Sequence, residues 1–170
     1  MYRMTNGASR TLLGLMVRTN TLQQKLQELV RRNQEPDQFC EEAVRLIADS
    51  KDLYDWVGIY LAEDETLHLP ETFFQGADAD HKVIPFDEGI CGAAARNRET
   101  VVVDDVNSDP RYLACSIFTQ SEIVVPILKN GRLFGVLDLD SDTPAAFQSA
   151  EQASLESAAE LIGTYLQNRM

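Results

Sequence analysis

Two cysteines and three carboxylates in the second half of the chain have side chains that could do chemistry. Glu122, Asp138 and Asp140 lie in segments that are otherwise apolar or small, as do Cys91 and Cys115. The segment Gly-Ile-Cys-Gly-Ala-Ala-Ala around Cys91 predicts a turn entering a helix, where the helix dipole favours thiolate. Side chains alternate along a strand, so Asp138 and Asp140 of Gly-Val-Leu-Asp-Leu-Asp share one face. Adjacent aspartates repel each other unless they bind a ligand or a cation, and this pair is the first indication of a site.

Length, charge and cysteine content restrict the class of protein. The 170 residues carry a net charge of -12 and are 44% apolar, as is usual for a soluble domain with a sizeable core. Nucleic acids and anionic membranes bind basic patches, so neither is an expected partner. No apolar run reaches the ~18 residues of a membrane span, and the N-terminus has no signal-peptide core. Three cysteines without a CxxC pair then indicate a reducing, cytoplasmic location, where any disulfide is transient.

Two helices are predicted before the first strand. The first begins near Ser9 and carries a heptad pattern that Thr19 interrupts, formed by Leu12, Leu15, Leu22, Leu26 and Leu29. Pro36 begins the second helix, on which Cys40 is expected to be a packed side chain. We therefore predict a helical extension over residues 1–34 and a domain over residues 35–170 that includes the C-terminal helix. The heptad pattern must pack on a second copy or on the final helix, and we expect a homodimer through the terminal helices.

Short apolar segments separated by turns predict a sheet built from hairpins. Asn130-Gly131 is a strong type I′ turn signal between two of the strands. Strands are predicted at residues 56–61, 66–74, 82–85, 100–103, 122–128 and 132–140. Helices are predicted at residues 89–97 and 148–167, and one helical turn around residues 111–115. Hairpins in place of strand-helix-strand units indicate an α+β fold, with an antiparallel sheet and helices packed on it.

Several of these segments together resemble the GAF domain family, and within it the free methionine-(R)-sulfoxide reductases. They are Cys91-Gly, Asp104-Asp-Val, Tyr112-Leu-Ala-Cys115, Ser121-Glu-Ile-Val-Val-Pro126 and Gly135-Val-Leu-Asp-Leu-Asp-Ser141. The resemblance covers roughly residues 35 to 165. It implies the GAF fold, a six-stranded antiparallel sheet flanked by helices, with a small-molecule pocket on one face. It also implies the reduction of free methionine-(R)-sulfoxide to methionine.

The resemblance further implies a role for each site residue. Cys115 matches the catalytic cysteine and Cys91 a resolving cysteine, and His81 stands where the fullest form of the family has another cysteine. The substrate-binding positions are the carboxylates Glu122, Asp138 and Asp140 and an aromatic wall of Trp56 and Tyr60. In this reaction a thiolate attacks the sulfoxide sulfur and becomes a sulfenic acid, and a second thiol condenses with it to a disulfide. A thioredoxin-like reductant reopens the disulfide, and no cofactor is needed.

The proton that the sulfoxide oxygen needs has a source in the carboxylates. Clustered carboxylates raise one another's pKa, so one of them can stay protonated near neutral pH. The others would hold the ammonium group of a free amino acid. The cysteines and histidines have no zinc spacing, so we expect no metal site.

Each of these features also has a structural interpretation. The cysteines and aromatic residues could be core, and the aspartates could lie on a solvated sheet face. The functional alternative is a sensory or regulatory GAF domain in signal transduction, which binds a small metabolite without turnover. A nucleophilic Cys115 would separate the enzyme from that alternative.

Overall fold

The computed structural model describes residues 21–114 and 116–169. Within them the helices are α1 (Leu22–Arg31), α2 (Pro36–Ala48), α3 (Gly89–Asn97) and α4 (Ser149–Gln167), with a short 3-10 helix at Val106–Ser108. The strands are β1 (Trp56–Glu63), β2 (Thr66–His68), β3 (Phe74–Gln75), β4 (Val83–Pro85), β5 (Val101–Val103), β6 (Ser121–Lys129) and β7 (Arg132–Ser141). No helix of this part of the chain is both long and apolar enough to cross a bilayer.

The strands form a single antiparallel sheet in the order β4-β2-β1-β7-β6-β5, and the two-residue β3 pairs separately with β1. The predicted α+β class and its six-stranded antiparallel sheet are therefore confirmed. The centre of the sheet is formed by β1, β7 and β6, and these are its longest strands. Residues of these central strands are buried on both faces because helices cover both sides of the sheet.

A tight turn and a one-residue register shift between Ile127 and Leu128 together set the pairing of β6 with β7. Asn130 and Gly131 both have positive φ, as a type I′ turn requires, and they join β6 to β7 at the predicted place. The prediction of one strand over residues 66–74 is wrong in its second half. Strand β2 ends at His68, before Pro70, which has no N–H to donate to a neighbouring strand. The chain then turns and returns as β3 to the other end of β1.

Helix α1 packs against α2 and α4 of the same chain. Thr21 caps it through a reciprocal capping box with Gln24, and Leu26 and Leu29 are fully buried. The Gln23 side-chain amide donates hydrogen bonds to the Ser154 carbonyl and hydroxyl oxygens on α4. The final helix therefore covers this part of the predicted heptad pattern. The pattern before residue 21 lies outside the described residues, and the homodimer stays a prediction.

The two faces of the sheet have different coverings. Ile123, Leu137 and Leu139 lie on the face that carries α2 and α4, and none of the three is exposed. Their neighbours Glu122 and Asp138 lie on the opposite face, which α3 covers. Acidic side chains are thus enclosed between the central strands and a short helix.

Candidate active site

The pairing of β6 with β7 places three carboxylates next to one another. Glu122 lies directly opposite Asp140, and Asp138 lies two residues before Asp140 on the same face of β7. Their exposed fractions are only 6%, 5% and 4% in that order. The solvated-face interpretation is therefore wrong. We call these three residues the carboxylate cluster.

Helix α3 brings Cys91 onto the carboxylate cluster. Cys91 is the third residue of the helix, and a Cβ atom at the next residue, Gly92, would lie 2.5 Å from the Pro85 carbonyl oxygen. Glycine at this position lets the first turn of the helix approach β4 closely. The Cys91 thiol lies beside the Asp138 carboxylate. The Cys91 Sγ atom and one oxygen each of Glu122 and Asp138 all lie within 4.8 Å of one another.

These groups line a small cavity of about 20 Å³, which we call the inner cavity. Its lining includes Tyr60, Cys91, Leu113 and the carboxylate cluster. Gly89 makes the close approach of Leu113 feasible, since its φ is +70° and a Cβ there would lie 2.8 Å from the Leu113 Cδ1 atom. The Asp138 Oδ1 atom is fully buried and has no hydrogen-bond partner among the described residues.

Burial and mutual repulsion keep protons on the carboxylate cluster. Burial raises the pKa of Asp138 from 3.8 to about 7, and the hydrogen bond from Cys91 opposes part of that shift. Burial, and then the charge of Asp138, raises the pKa of Glu122 and of Asp140 well above the ordinary range. These shifts agree with the prediction that one of the carboxyl groups stays protonated near neutral pH, and its role as a proton donor stays a prediction.

The thiol of Cys91 does not behave as its helix position predicts. Burial, followed by the charges of Asp138 and Glu122, raises its pKa well above 9.0. The dipole of the short helix α3 is too weak to offset desolvation beside carboxylates, so the expectation of a thiolate is wrong here. In this state Cys91 is a protonated thiol.

A second, larger cavity of about 210 Å³ lies next to the first, and we call it the outer cavity. Its lining includes Asp55, Trp56, Ser116, Thr119, Asp140 and Asp142. Asp140 thus contributes to both cavities. The outer cavity is acidic on one side and carries an indole ring on the other, which suits a small cationic or zwitterionic molecule.

The two predicted aromatic residues stand on either side of Gly58 on β1. The Trp56 ring lies across this glycine, where a Cβ would be 2.2 Å from the Trp56 Cη2 atom, and its indole N–H donates to the Ala77 carbonyl oxygen. Tyr60 is 1% exposed, and its hydroxyl donates to the His81 carbonyl oxygen. The ring centroids of Trp56 and Tyr60 are 6.4 Å apart. Tyr60 therefore lines the inner cavity and Trp56 the outer one.

Cys115, the predicted catalytic cysteine, lies outside the described residues. Its sequence neighbours Leu113 and Ser116 line the inner and the outer cavity respectively. The predicted helical turn is absent from residues 111–114, and the helical turn of this loop is instead at Val106–Ser108, where the Asp105 carboxylate accepts the Asn107 N–H.

Cys40 is confirmed as a packed side chain. It is fully buried in α2, and burial raises its pKa to about 12.

Sequence patterns missed two acidic residues that shape the site. The Asp55 carboxylate accepts hydrogen bonds from the Asp142 N–H and the Ser141 hydroxyl, and so fixes the end of β7 beside the outer cavity. Asp109 pairs with Arg111 on the loop that covers the carboxylate cluster. The first contact joins residues 87 positions apart, and no local pattern indicates it.

Comparison with known proteins places this arrangement in a family. The model of the GAF domain matches residues 35–166. The chain belongs to the GAF domain family. The yeast Saccharomyces cerevisiae free methionine-R-sulfoxide reductase is 42% identical to this GAF domain over 112 residues, which are 64% of this chain and 61% of the yeast protein. The matched region thus spans less than two thirds of that relative.

Two solved structures extend the likeness. The free methionine-R-sulfoxide reductase of Neisseria meningitidis, solved in complex with its substrate, matches with a TM-score of 0.79 at 32% identity and covers 88% of this chain and 87% of its own. The type II free methionine-R-sulfoxide reductase of Thermoplasma acidophilum matches with a TM-score of 0.73 at 36% identity. That match covers 80% of this GAF domain and 98% of the Thermoplasma chain.

Proposed function

We propose that this GAF domain reduces free methionine-(R)-sulfoxide to methionine through Cys115 and Cys91. The observation that carries the proposal is the buried carboxylate cluster, with the Cys91 thiol beside Asp138. Relatives that share the fold at 32% to 42% identity are named for this activity. Reduction of a sulfoxide needs thiols and a proton donor, and the carboxylate cluster with Cys91 beside it brings a proton donor and one thiol together.

The outer cavity would hold the amino acid. Its volume of about 210 Å³ is below the ~300–1,000 Å³ of pockets for drug-sized ligands, so a free amino acid suits it better than a peptide. Asp142 would attract the ammonium group, whose positive charge would favour the ionised form of Asp140 beside it. Trp56 would pack on the methyl sulfoxide end. The sulfoxide oxygen would then point towards Asp138.

Two cysteine thiols supply the two electrons that reduce the sulfoxide. Cys115 attacks the sulfur as a thiolate while Asp138, with a pKa of about 7, donates a proton to the oxygen. The oxygen passes to Cys115 as a sulfenic acid, and methionine is released. Asp138 is now a carboxylate and accepts the proton of the Cys91 thiol. Cys91 attacks the Cys115 sulfur, the disulfide forms, and the oxygen leaves as water.

A thioredoxin-coupled assay with NADPH and the separate epimers of free methionine sulfoxide tests the proposal. Turnover is expected for the R epimer, with none for the S epimer or a methionine sulfoxide inside a peptide. Cys115→Ser should abolish turnover and Cys91→Ser should stop after one cycle, whereas Cys40→Ser, in the core of α2, should behave like wild type. Binding of the sulfoxide without turnover would instead support a sensory GAF domain.

A further inference from the structure

Three potential metal ligands converge on the inner cavity from three different elements. They are the Cys91 thiol on α3, the Glu122 carboxylate on β6 and the Asp138 carboxylate on β7, and all three are buried. A thiolate and carboxylate oxygens are ligand types that Zn²⁺ accepts. Zinc spacing in a sequence means closely spaced cysteines and histidines. These three ligands are far apart in sequence and two of them are carboxylates, so that pattern could not reveal them.

The carboxylate cluster has no ion-pair partner among the described residues. None of the ion pairs between described residues includes Glu122, Asp138 or Asp140. Arg111 acts on Glu122 from a distance, but its guanidinium group is paired with Asp109. A buried group of ionisable side chains is costly without a partner, and a divalent cation is one way to neutralise it.

One carboxylate of the cluster carries an orphan oxygen atom. The Asp138 Oδ1 atom is buried, unpartnered among the described residues, and belongs to a side chain that lines the inner cavity. That cavity, at about 20 Å³, has room for one water molecule or one ion, since a single occupant needs ~10–15 Å³ by this measure. An amino acid does not fit there.

The spacing of the ligands is close to what a metal ion requires. With a Zn–S distance of ~2.3 Å and Zn–O distances of ~2.1 Å, tetrahedral ligand atoms are ~3.4–3.6 Å apart. The three atoms lie within 4.8 Å of one another, so no pair needs to approach by more than ~1.4 Å. Asp140, which lines the same cavity, is available as the fourth ligand.

We propose that the reduced protein binds one zinc-type divalent cation through Cys91, Glu122 and Asp138, with Asp140 or a water molecule as the fourth ligand. The cation displaces the thiol proton of Cys91, because a coordinated thiol is deprotonated. It occupies the thiol and the carboxyl group that the proposed reductase reaction uses, so the loaded protein is inactive. Binding itself does not depend on that reaction.

Cobalt(II) is the probe, because a Co²⁺-thiolate bond has a charge-transfer absorption that zinc lacks. Fully reduced protein under argon is titrated with Co²⁺, and Zn²⁺ is then added to displace it. We expect one equivalent to bind with the thiolate band, and Zn²⁺ to abolish the band. Cys91→Ser should remove the band, while Cys40→Ser and Cys115→Ser should keep it.

Carboxylate variants give a second measurement that retains Cys91. Glu122→Gln and Asp138→Asn should each lower Co²⁺ affinity at least ~10-fold, as loss of supporting groups around metals does. Circular dichroism confirms that each variant is folded. Absence of a thiolate band, a band that persists in Cys91→Ser, loss of the band in Cys115→Ser, or unchanged affinity in both carboxylate variants would overturn the proposed site. None of these results depends on whether the protein reduces a sulfoxide.

Discussion

Replacing Asp138 by asparagine should make the stability of the protein less sensitive to rising pH. Burial raises the folded-state pKa of Asp138 to about 7, whereas an unfolded aspartate titrates near 3.8. Between these values the folded state holds a proton that the unfolded state has lost, so stability falls as pH rises. The stability is fully present below pH ~3.8 and is lost as pH rises through about 7. Asparagine cannot ionise and does not have this dependence.

The size of the effect follows from the two pKa values. One pKa unit corresponds to ~1.4 kcal/mol. Relative to a pH well below 3.8, the raised pKa of Asp138 therefore lowers the free energy of unfolding by about 2 kcal/mol at pH 5 and by about 4 kcal/mol at pH 8. Wild type should therefore lose about 2–3 kcal/mol more than Asp138→Asn between these pH values. Removing the charge also relieves repulsion on Glu122 and Asp140, which adds to the difference in the same direction.

Urea denaturation of the reduced protein at pH 5 and pH 8 measures this difference, with EDTA present so that no divalent cation occupies the cluster. Asp52→Asn, at an exposed aspartate before β1, is the matched control and should follow wild type. If wild type and Asp138→Asn lose stability in parallel, Asp138 titrates as an ordinary aspartate and the account of the cluster is wrong.

Three further predictions concern activity, the aromatic wall and assembly. The single-turnover rate of wild type, divided by the thiolate fraction of Cys115 measured at each pH, should fall about 10-fold per pH unit above pH ~7 as Asp138 loses its proton, and a flat corrected profile up to pH 9 would exclude Asp138 as the donor. Gly58→Ala should push the Trp56 ring off the sheet, with a cost of about 1–3 kcal/mol in urea denaturation and a KM about 10-fold higher. Trp56 is the sole tryptophan, so unchanged fluorescence in that variant would contradict the displacement. Light scattering at micromolar concentration should give a dimer mass, and a monomer mass would refute the homodimer.

Local rules predict part of the carboxylate cluster. Strand periodicity places Asp138 and Asp140 on one face, and the small and apolar residues around them agree with their burial. The Asn130-Gly131 turn alone would set Glu122 opposite Leu139. A one-residue register shift next to Ile127 sets it opposite Asp140 instead, and no local sequence pattern indicates that shift.

Other features depend on contacts that the sequence does not display. The protonated thiol of Cys91 reflects desolvation by β6 and β7, which a helix-dipole argument leaves out. The division of the predicted second strand depends on Pro70 and on the separate pairing of β3 with β1. The convergence of Cys91 with Glu122 and Asp138 likewise appears only when α3 lies on the sheet.

A single-turnover experiment tests the central claim most directly. Fully reduced protein, freed of reductant and metal, is mixed with excess free methionine-(R)-sulfoxide, and the methionine formed is counted per protein chain. Wild type should give one methionine per chain and a disulfide between Cys91 and Cys115 by peptide mapping, with none from the S epimer. A yield from wild type no higher than that from Cys115→Ser would contradict the proposed reductase.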